Sequence, residues 1–540
     1  MKFQFKISIA LMMLFCINTA FANYVNPTDS VAPENWFNLD VSKDGVRGVS
    51  TEAAYSTLLK GKTSRTVVVA VIDSGIDIEH EDLKDIIWIN TGEIPNNGKD
   101  DDGNGYVDDV HGWNFIGGKD GEHVDYDTYE ITRLYKMYSD EFQDMSKDDV
   151  KGRKAKKRYA TYLEIKDAFE KASKPAVAQY NQLTMIVEVT NLVKKELGDK
   201  ELNKENVAAI ETEDEKLKGG VEMMSRLLQS YDGETIEGFK GYLDSYKERV
   251  EYGYNPDFNP RGIVGDDYEN SKERYYGNND VEGPHADHGT HVAGIIGAVR
   301  GNDVGMDGVA DNVRIMAVRT VPNGDERDKD VANAIIYAVD NGASVINMSF
   351  GKSYSYDEKS VEKAIKYARK KDVLLVHAAG NSAQNNDVDG NFPNDLLGKK
   401  GKEAANWLEI GASNWGEGGN DLATFSNYGQ EQVDVFAPGV DLYATVPQSD
   451  YRSMSGTSMA SPVVAGVAAL LRSYYPALTA AQVKSIIMES AIVMDEDVNK
   501  PGSDEMVKLS ELSRTGGVIN VVEAVKLAEK TKGKKKVKKP

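Results

Sequence analysis

The sequence predicts an α/β fold with a mainly parallel sheet, interrupted by an inserted α-helical subdomain. The first observation is a continuous run of β-branched and apolar residues at 66–72, which is typical of a strand buried on both faces. The second is that five further runs of this kind alternate with helical patterns, which predicts parallel strands joined by helices. The third is a stretch from about residue 119 to residue 250 in which strand patterns disappear.

The predicted elements follow one another in a regular order. After 66–72, the strand candidates are 314–318, 345–348, 373–377, 407–411 and 433–436. The helix candidates between and after them are 289–299, 330–341, 361–371, 458–475 and 479–489. Ligands bind at the carboxyl ends of the strands in such sheets, so we expect the functional residues directly after the strands.

The stretch without strands is predicted to be a charged helical insertion covering residues 119–255. Residues 131–250 hold 22 lysines and arginines against 23 aspartates and glutamates, with Pro175 as their one proline. Segments 159–172 and 181–197 combine helix-forming residues with an apolar spacing near 3.6. The simplest interpretation is a solvated surface excursion without an activity of its own.

Composition narrows the class of protein. The chain has 540 residues, 40% of them hydrophobic and 28% charged, which is a globular composition. A net charge of −22 argues against a nucleic-acid-binding protein, because such a protein needs a basic surface for the phosphates. The acidic balance fits a protein that binds cations. The chain ends in a Lys-rich tail, residues 529–540.

The first 22 residues have the pattern of a secretory signal peptide. Two lysines precede an apolar run at 7–17, and small residues before and at Ala22 predict cleavage after that residue. The run is too short to span a bilayer as an anchor. A lipid anchor on Cys16, the one cysteine, is disfavoured by the bulky Phe15 before it. We therefore expect export, to the periplasm or out of the cell, without stable membrane insertion after signal removal.

Three motifs carry the chemistry, and they occur in the order Asp, His, Ser. Asp73 lies in Val-Ile-Asp-Ser-Gly at the end of the first predicted strand. His288 begins His-Gly-Thr-His-Val-Ala-Gly, and Ser458 lies in Gly-Thr-Ser-Met-Ala-Ser-Pro, both at helix starts. Taken singly, Asp-Ser-Gly is also a common turn and Gly-Thr-Ser a common helix cap. Together, in this order, they match one of the known chain orders of the hydrolytic triad.

On these motifs the sequence resembles the subtilisin-like serine peptidases, the subtilase family. The resemblance covers about residues 36–118 and 261–527. It implies a three-layer sandwich built from residues 23–118 and 256–528, with serine endopeptidase activity on protein or peptide substrates through an acyl-enzyme. The alternative is a catalytically silent binding protein on the same fold.

The resemblance also implies a role for each motif residue. Asp73 would orient the histidine, His288 would act as general base and then general acid, and Ser458 would be the nucleophile. Asn381, which follows a predicted strand, would donate its side-chain amide to the oxyanion beside the backbone N–H of the nucleophile. His291, one turn after His288, is assigned a structural role by the family pattern.

Substrate contacts are implied as well. The segment Ser349, Phe350 and Gly351 matches the part of the family that pairs with the substrate backbone as an added strand. The walls of the first specificity pocket would be completed by a second segment, Ala378, Ala379 and Gly380. These walls are small and uncharged, so we expect a medium or large apolar residue before the scissile bond.

Calcium is the cation that the sequence predicts. Within residues 97–109 oxygen-bearing side chains alternate as in an EF-hand loop, with His111 where a glutamate is expected. The candidate ligands are Asp100, Asp102, Asn104 and Asp108. The alternative is a solvated acidic turn. A second, structural calcium site is implied by the family resemblance, with Asp82 and Asn302 as side-chain ligands and three backbone carbonyls from residues 300–306.

Two features depart from the family pattern. Subtilases commonly carry a folded pro-domain, whereas only a short segment, 23–34, stands between the predicted signal and the matching region. The insertion separates Asp73 from His288, and its ends leave the face where the active site is expected. We hypothesise that the insertion restricts access to the cleft; recognition of a partner is the alternative.

Overall fold

The computed structural model of the chain describes residues 32–416 and 422–534. The predicted signal peptide with Cys16, and residues 535–540 of the Lys-rich tail, lie outside these ranges. Within the described part, no helix is both long enough and apolar enough to cross a membrane.

The described strands and helices are as follows. The strands are β1 Val67–Asp73, β2 Gly112–Asn114, β3 Val313–Arg319, β4 Val345–Met348, β5 Leu374–Ala378, β6 Leu396–Leu397, β7 Lys402–Glu403, β8 Trp407–Ser413, β9 Val435–Pro438, β10 Leu442–Val446, β11 Asp450–Met454, β12 Ile492–Val493, β13 Asp497–Asn499, β14 Met506–Lys508 and β15 Gly517–Val518. The helices are α1 Val41–Asp44, α2 Thr51–Ser56, α3 Glu130–Phe142, α4 Arg153–Leu197, α5 Lys204–Ala208, α6 Glu215–Ser230, α7 Gly233–Glu248, α8 Asp287–Gly297, α9 Asp328–Asp340, α10 Glu358–Lys370, α11 Thr457–Tyr474, α12 Ala480–Glu489 and α13 Val521–Lys530.

One large sheet organises the described residues. Its nine strands lie in the order β12-β15-β9-β8-β5-β4-β1-β3-β2, and every neighbouring pair is parallel except β12 and β15. The predicted mainly parallel α/β fold is confirmed. The six apolar runs of the sequence become β1, β3, β4, β5, β8 and β9, which are the inner strands of the sheet.

Helices cover both faces of the sheet. In β1, Val67, Val69 and Val71 point into a core shared with α8, α11, α12 and α13. Ala70 and Ile72 alternate with them and point into a second core, shared with α9 and α10. A strand that buries both faces has no room for polar residues, which explains its unbroken apolar sequence.

The helix α8 approaches the end of β1 very closely at Gly289. A Cβ atom at this position would lie 2.1 Å from the backbone carbonyl oxygen of Gly75. Only glycine therefore permits this approach. It brings His288, the second residue of α8, to the carboxyl end of β1.

The insertion is helical from Glu130 to a π-helical turn at Arg249–Gly253. Its helix α4 is 45 residues long and continues through Pro175, so the two helical segments predicted from the sequence form one helix. The far end of α4 shares a separate apolar core with α6 and α7. Nearer the sheet, Ile131 and Phe169 pack with Tyr354 and Tyr356, which follow β4 outside the insertion. The insertion thus has an apolar core of its own, and a separate apolar cluster joins it to the rest of the chain.

Candidate active site

Asp73 and His288 form a direct pair at the carboxyl edge of the sheet. Asp73, the last residue of β1, is buried, and its Oδ1 accepts a hydrogen bond from the backbone N–H of Ser74 (2.8 Å). The same oxygen lies 2.6 Å from Nδ1 of His288. Because a carboxylate can only accept, Nδ1 carries the hydrogen, and Nε2 is left as the basic nitrogen of a neutral ring.

The two histidines of the motif have opposite electrostatic surroundings. Burial disfavours the charged ring of His288, but the charge and hydrogen bond of Asp73 outweigh it and hold the pKa of His288 above its ordinary value. Burial lowers the pKa of His291 to about 4, and its Nε2 donates to the carbonyls of Leu442 (3.0 Å) and Arg452 (2.9 Å). His288 is therefore the ring suited to exchange protons, and His291 is a fixed hydrogen-bond donor.

Ser458 is the second residue of α11 and faces the end of β4. Its Oγ donates to the carbonyl of Ser349 (3.1 Å), and the Ser349 hydroxyl donates back to the carbonyl of Ser458 (2.8 Å). The serine hydroxyl thus bonds to the expected substrate segment rather than to His288. Hydrogen bonds between catalytic groups are often long without substrate and tighten in the complex, so the bond to Ser349 is compatible with the expected role of Ser458.

Asn381 lies beside the start of α11. Oδ1 of Asn381 accepts from the backbone N–H (2.8 Å) and the hydroxyl (2.9 Å) of Thr457, which leaves the Nδ2 hydrogens to point elsewhere. A Cβ atom at Gly456 would lie 3.5 Å from Nδ2 of Asn381 and 3.5 Å from the backbone nitrogen of Ser458. Both nitrogens border the same small volume, where they can donate to one oxygen atom.

Several residues that support these groups were not predicted. Asn347 donates to the Ser349 hydroxyl (2.9 Å) and accepts from Ser461 (2.8 Å), which ties β4 to α11. Asn427 donates to the carbonyl of Ala379 (2.9 Å) and accepts from the backbone N–H of Ser382 (2.9 Å). Apart from Ser349, which is two positions from Asn347, these partners lie 45 to 114 positions away in the chain, so no local sequence pattern reveals them.

The expected specificity walls gain a polar neighbour. Phe350, Ala378 and Ala379 are buried beside the edge of the sheet. Between these walls lies Asn391, whose Nδ2 donates to the carbonyls of Ala378 (3.2 Å) and Ala379 (3.1 Å). Its Oδ1 lies 2.6 Å from the position of a Cβ at Gly351. The prediction of an apolar pocket considered only the segments 349–351 and 378–380, and it did not include the Asn391 side-chain amide.

The acidic loop gathers part of its predicted ligand set. Carboxylate oxygens of Glu93, Asp100 and Asp102 lie within 4.8 Å of one another. Glu93 was missed because it precedes the loop in sequence. The Asn104 side chain donates to Asp102 (3.2 Å), while Asp108 accepts from the backbone N–H groups of two residues that open the loop, Asn97 and Gly98 (3.1 and 2.8 Å). Asp100 and Asp102 thus lie together with Glu93 and supply three of the roughly six to eight oxygen ligands that Ca²⁺ takes, whereas Asp108 closes the turn.

The second predicted calcium pair is also in contact. Nδ2 of Asn302 lies 2.8 Å from Oδ1 of Asp82, which is fully buried. Oδ2 of Asp82 has no hydrogen-bond partner among the described residues. Burial raises the pKa of Asp82, because its charge is poorly solvated. A cation at this oxygen would offset that penalty, so the residues fit the ion that the family implies.

The fold and this edge of the sheet define an α/β protein with an Asp–His–Ser constellation and an asparagine beside the serine. The chain belongs to the subtilase family: the family model Peptidase_S8 matches residues 64–516.

Known proteins with similar sequences include a serine proteinase, a thermitase and a subtilisin. The chain is 44% identical over 187 residues to the thermophilic serine proteinase of Bacillus sp. (strain AK1), a match that covers 34% of this chain and 42% of that protein. It is 40% identical to thermitase of Thermoactinomyces vulgaris, over 34% of this chain and 61% of that protein. It is 37% identical to subtilisin DY of Bacillus licheniformis, over 38% of this chain and 70% of that protein. The chain thus spans about half the length of the first two relatives.

Among solved structures, the chain is similar to the prenylagaramide maturation protease PagA. The sequence identity is 29% and the TM-score 0.36, with 45% of this chain and 82% of that chain covered.

We predict that His288 and His291 titrate far apart. NMR of the imidazole nitrogens should place the pKa of His288 above the ordinary value of about 6.5, and that of His291 near 4. Asp73→Asn removes the negative charge that stabilises the imidazolium, so the pKa of His288 should fall, whereas that of His291 should stay low because burial is its main cause. A His288 titration that does not respond to this substitution contradicts the pairing.

Proposed function

We propose that the protein is an exported serine endopeptidase that cuts peptide bonds through an acyl-enzyme on Ser458. The observation that carries the proposal is the 2.6 Å contact between Nδ1 of His288 and Oδ1 of Asp73, at the sheet edge where Ser458 and Asn381 also lie. Membership of the subtilase family and relatives named as serine proteinase and subtilisin support it. Export rests on the signal-peptide pattern that ends at Ala22.

The proposed reaction begins with attack of the Ser458 hydroxyl on the scissile carbonyl. Nε2 of His288 takes the hydroxyl proton as the new bond forms, and Asp73 stabilises the resulting imidazolium. The carbonyl oxygen becomes an oxyanion that accepts hydrogen bonds from Nδ2 of Asn381 and the backbone N–H of Ser458 at the helix N-terminus. His288 then gives the proton to the leaving amine. Water, deprotonated by the same ring, hydrolyses the acyl-enzyme in the reverse manner.

The central test is covalent labelling by a fluorophosphonate probe, which reacts with an activated serine. We expect the folded protein to be labelled and Ser458→Ala to be unlabelled, whereas Ser455→Ala, three residues earlier and exposed, should label normally. Asn381→Ala should lower turnover of a peptide substrate by roughly 100- to 1,000-fold, because one of two oxyanion donors is lost.

Absence of labelling in folded, calcium-loaded protein would instead support a catalytically silent binding protein on the same fold. Labelling that persists in Ser458→Ala would assign the nucleophile elsewhere.

We propose further that the insertion restricts access to the cleft. Its two ends meet each other and contact His285, three residues before His288: Tyr126 stacks on Tyr252 with ring centroids 4.2 Å apart, and Oδ1 of Asp125 lies 2.8 Å from Nε2 of His285. These contacts, together with the packing around Tyr354 after the substrate segment, support a position of the insertion beside the cleft. Such an enzyme would process selected chains rather than degrade proteins broadly.

Truncation of the distal helices tests the access proposal. Replacing residues 187–243 by a Gly-rich turn keeps the base of the insertion. It should raise kcat/KM for a bulky protein substrate by about tenfold or more, a change of about 1.4 kcal/mol in activation free energy. Hydrolysis of a short peptide should not change, since it needs no extra space. Equal kcat/KM for the bulky substrate before and after truncation would rule out a steric role of the distal helices.

We propose that structural Ca²⁺ binds at two places, one formed by Glu93, Asp100 and Asp102 and the other by Asp82 and Asn302. Bound calcium would tie these loops to the sheet, which a chain with a single cysteine cannot do by an internal disulfide. The unpartnered oxygen of buried Asp82 supports the second place.

Calcium should therefore raise the thermal stability. At a free concentration about 100 times its dissociation constant, one bound ion adds about 2.7 kcal/mol to the free energy of unfolding. Thermal denaturation with and without a chelator measures this. Asp82→Asn and Asp102→Asn should each remove part of the calcium-dependent shift in Tm, whereas Asp148→Asn on the exposed insertion should not. A full shift in Asp102→Asn would favour the solvated acidic turn for that loop.

A further inference from the structure

The substrate segment, Ser349–Gly351, is followed by a buried lysine whose side chain contacts the insertion. Lys352 follows Gly351 directly and its side chain is 1% exposed. Its Nζ donates to Oε2 of Glu130 (2.7 Å) and to the carbonyl of Glu326 (2.6 Å), and it lies 2.7 Å from Oδ1 of Asp328. Glu130 is the first residue of α3 in the insertion, and Asp328 is the first residue of α9. One ammonium group therefore joins three parts of the chain.

Further pairs extend this contact. Arg133, one turn along α3, pairs with Glu130 at 2.8 Å and donates to the carbonyl of Glu326 (3.3 Å). Arg327 pairs with Asp127 at 2.7 Å, just before the insertion helices begin. All of these side chains are largely buried. We call this group the base cluster; it comprises Asp127, Glu130, Arg133, Arg327, Asp328 and Lys352.

The base cluster keeps Glu130 and Lys352 charged. Burial opposes the charge of Glu130, but Arg133 and Lys352 outweigh it and lower the pKa of Glu130 to about 2. Burial likewise opposes the ammonium of Lys352, yet Glu130 and Asp328 raise its pKa. Losing one partner leaves an opposite charge buried without compensation, so each group fixes the position of the others.

The substrate segment is held at both ends. At its start, Ser349 exchanges hydrogen bonds with Ser458. At its end, the backbone of Lys352 pairs with Phe392 in both directions (3.0 and 2.9 Å), and its side chain enters the base cluster. Between these ends stand Phe350 and Gly351, whose own backbone groups are expected to receive the substrate.

We propose that Lys352 and Glu130 are positioning residues, through which the insertion sets the backbone of Ser349–Gly351 for substrate binding. The inference rests on the proposed function, because that function assigns these three residues to the substrate. Neither residue belongs to the groups proposed for bond breaking. Disturbing them should therefore weaken substrate binding while the chemistry at Ser458 proceeds.

The test compares the buried Lys352–Glu130 pair with an exposed Lys–Glu pair elsewhere on the insertion. Lys352→Met and Glu130→Gln should each raise KM for an extended peptide by about tenfold and leave kcat within about twofold. Lys352→Arg keeps the charge and should recover most of the loss. The controls are Lys174→Met and Glu170→Gln, which remove an exposed pair on α4 and should change neither constant.

Two further measurements separate the possible outcomes. The rate of fluorophosphonate labelling should be the same in all variants, because the small probe does not occupy the substrate segment. On the Ser458→Ala background, fluorescence anisotropy of a labelled peptide should show the same tenfold weakening, whether or not the protein is catalytic. Failure of the proposed function thus appears as absent labelling, and failure of this inference as unchanged peptide affinity.

Glu130→Gln decides the matter if Lys352→Met fails to fold, since the lysine then keeps Asp328 and the Glu326 carbonyl as partners. A folded Glu130→Gln protein with a lower Tm but the original KM and peptide affinity would overturn the inference and leave the base cluster a purely structural role.

Discussion

The parallel register of the central strands is the constraint on which the site depends. Ile72 in β1 pairs with Met348 in β4, and Met348 pairs with His377 in β5. The next residues of these strands therefore emerge side by side at one edge. Asp73, Ser349 and Ala378 come from three distant parts of the sequence, yet the register alone makes them neighbours. Any slip of one strand by a single residue would turn these side chains to the other face.

Close backbone approach converts this edge into a site. Gly289 lets α8 come within reach of β1, so that a histidine on the helix meets a carboxylate on the strand. Gly380, with a φ of +107° and with Asn427 where a side chain would be, lets the chain turn after β5 toward Asn381. A larger residue would be blocked at Gly289 by the backbone of Gly75 and strained at Gly380 by the positive φ. The close backbone approaches at Gly289 and Gly380 thus determine where His288 and Asn381 lie.

Local patterns were enough to predict the inner strands of the large sheet, because strands buried on both faces have unbroken apolar sequences. The outer strands β2, β12 and β15 have two or three residues each and carry no such signal. The four residues assigned to catalysis were found from motifs, whereas Glu93, Asn391 and Asn427 were not. Glu93 and Asn391 lie 8 to 13 positions from the groups they contact in the loop and the specificity wall, but outside the motifs themselves. Asn427 lies 45 and 48 positions from Ser382 and Ala379, and a single polar residue has no periodicity to reveal it.

The insertion illustrates a different limit of sequence reading. Its charges nearly cancel, at 22 against 23 over residues 131–250, and on that evidence it resembles a solvated excursion. The structure distributes the charges of the insertion unevenly: pairs such as Lys171 and Asp167 are exposed and contribute little, while Glu130 and Arg133 are buried against the rest of the chain. Buried ion pairs add little net stability compared with apolar packing, but they tolerate few alternative arrangements. Apolar contacts such as that of Phe169 with Tyr354 are not directional and fix an orientation less closely than paired charges do. Charged groups that must each meet a particular partner define one orientation, and they do so at the residue that follows the substrate segment.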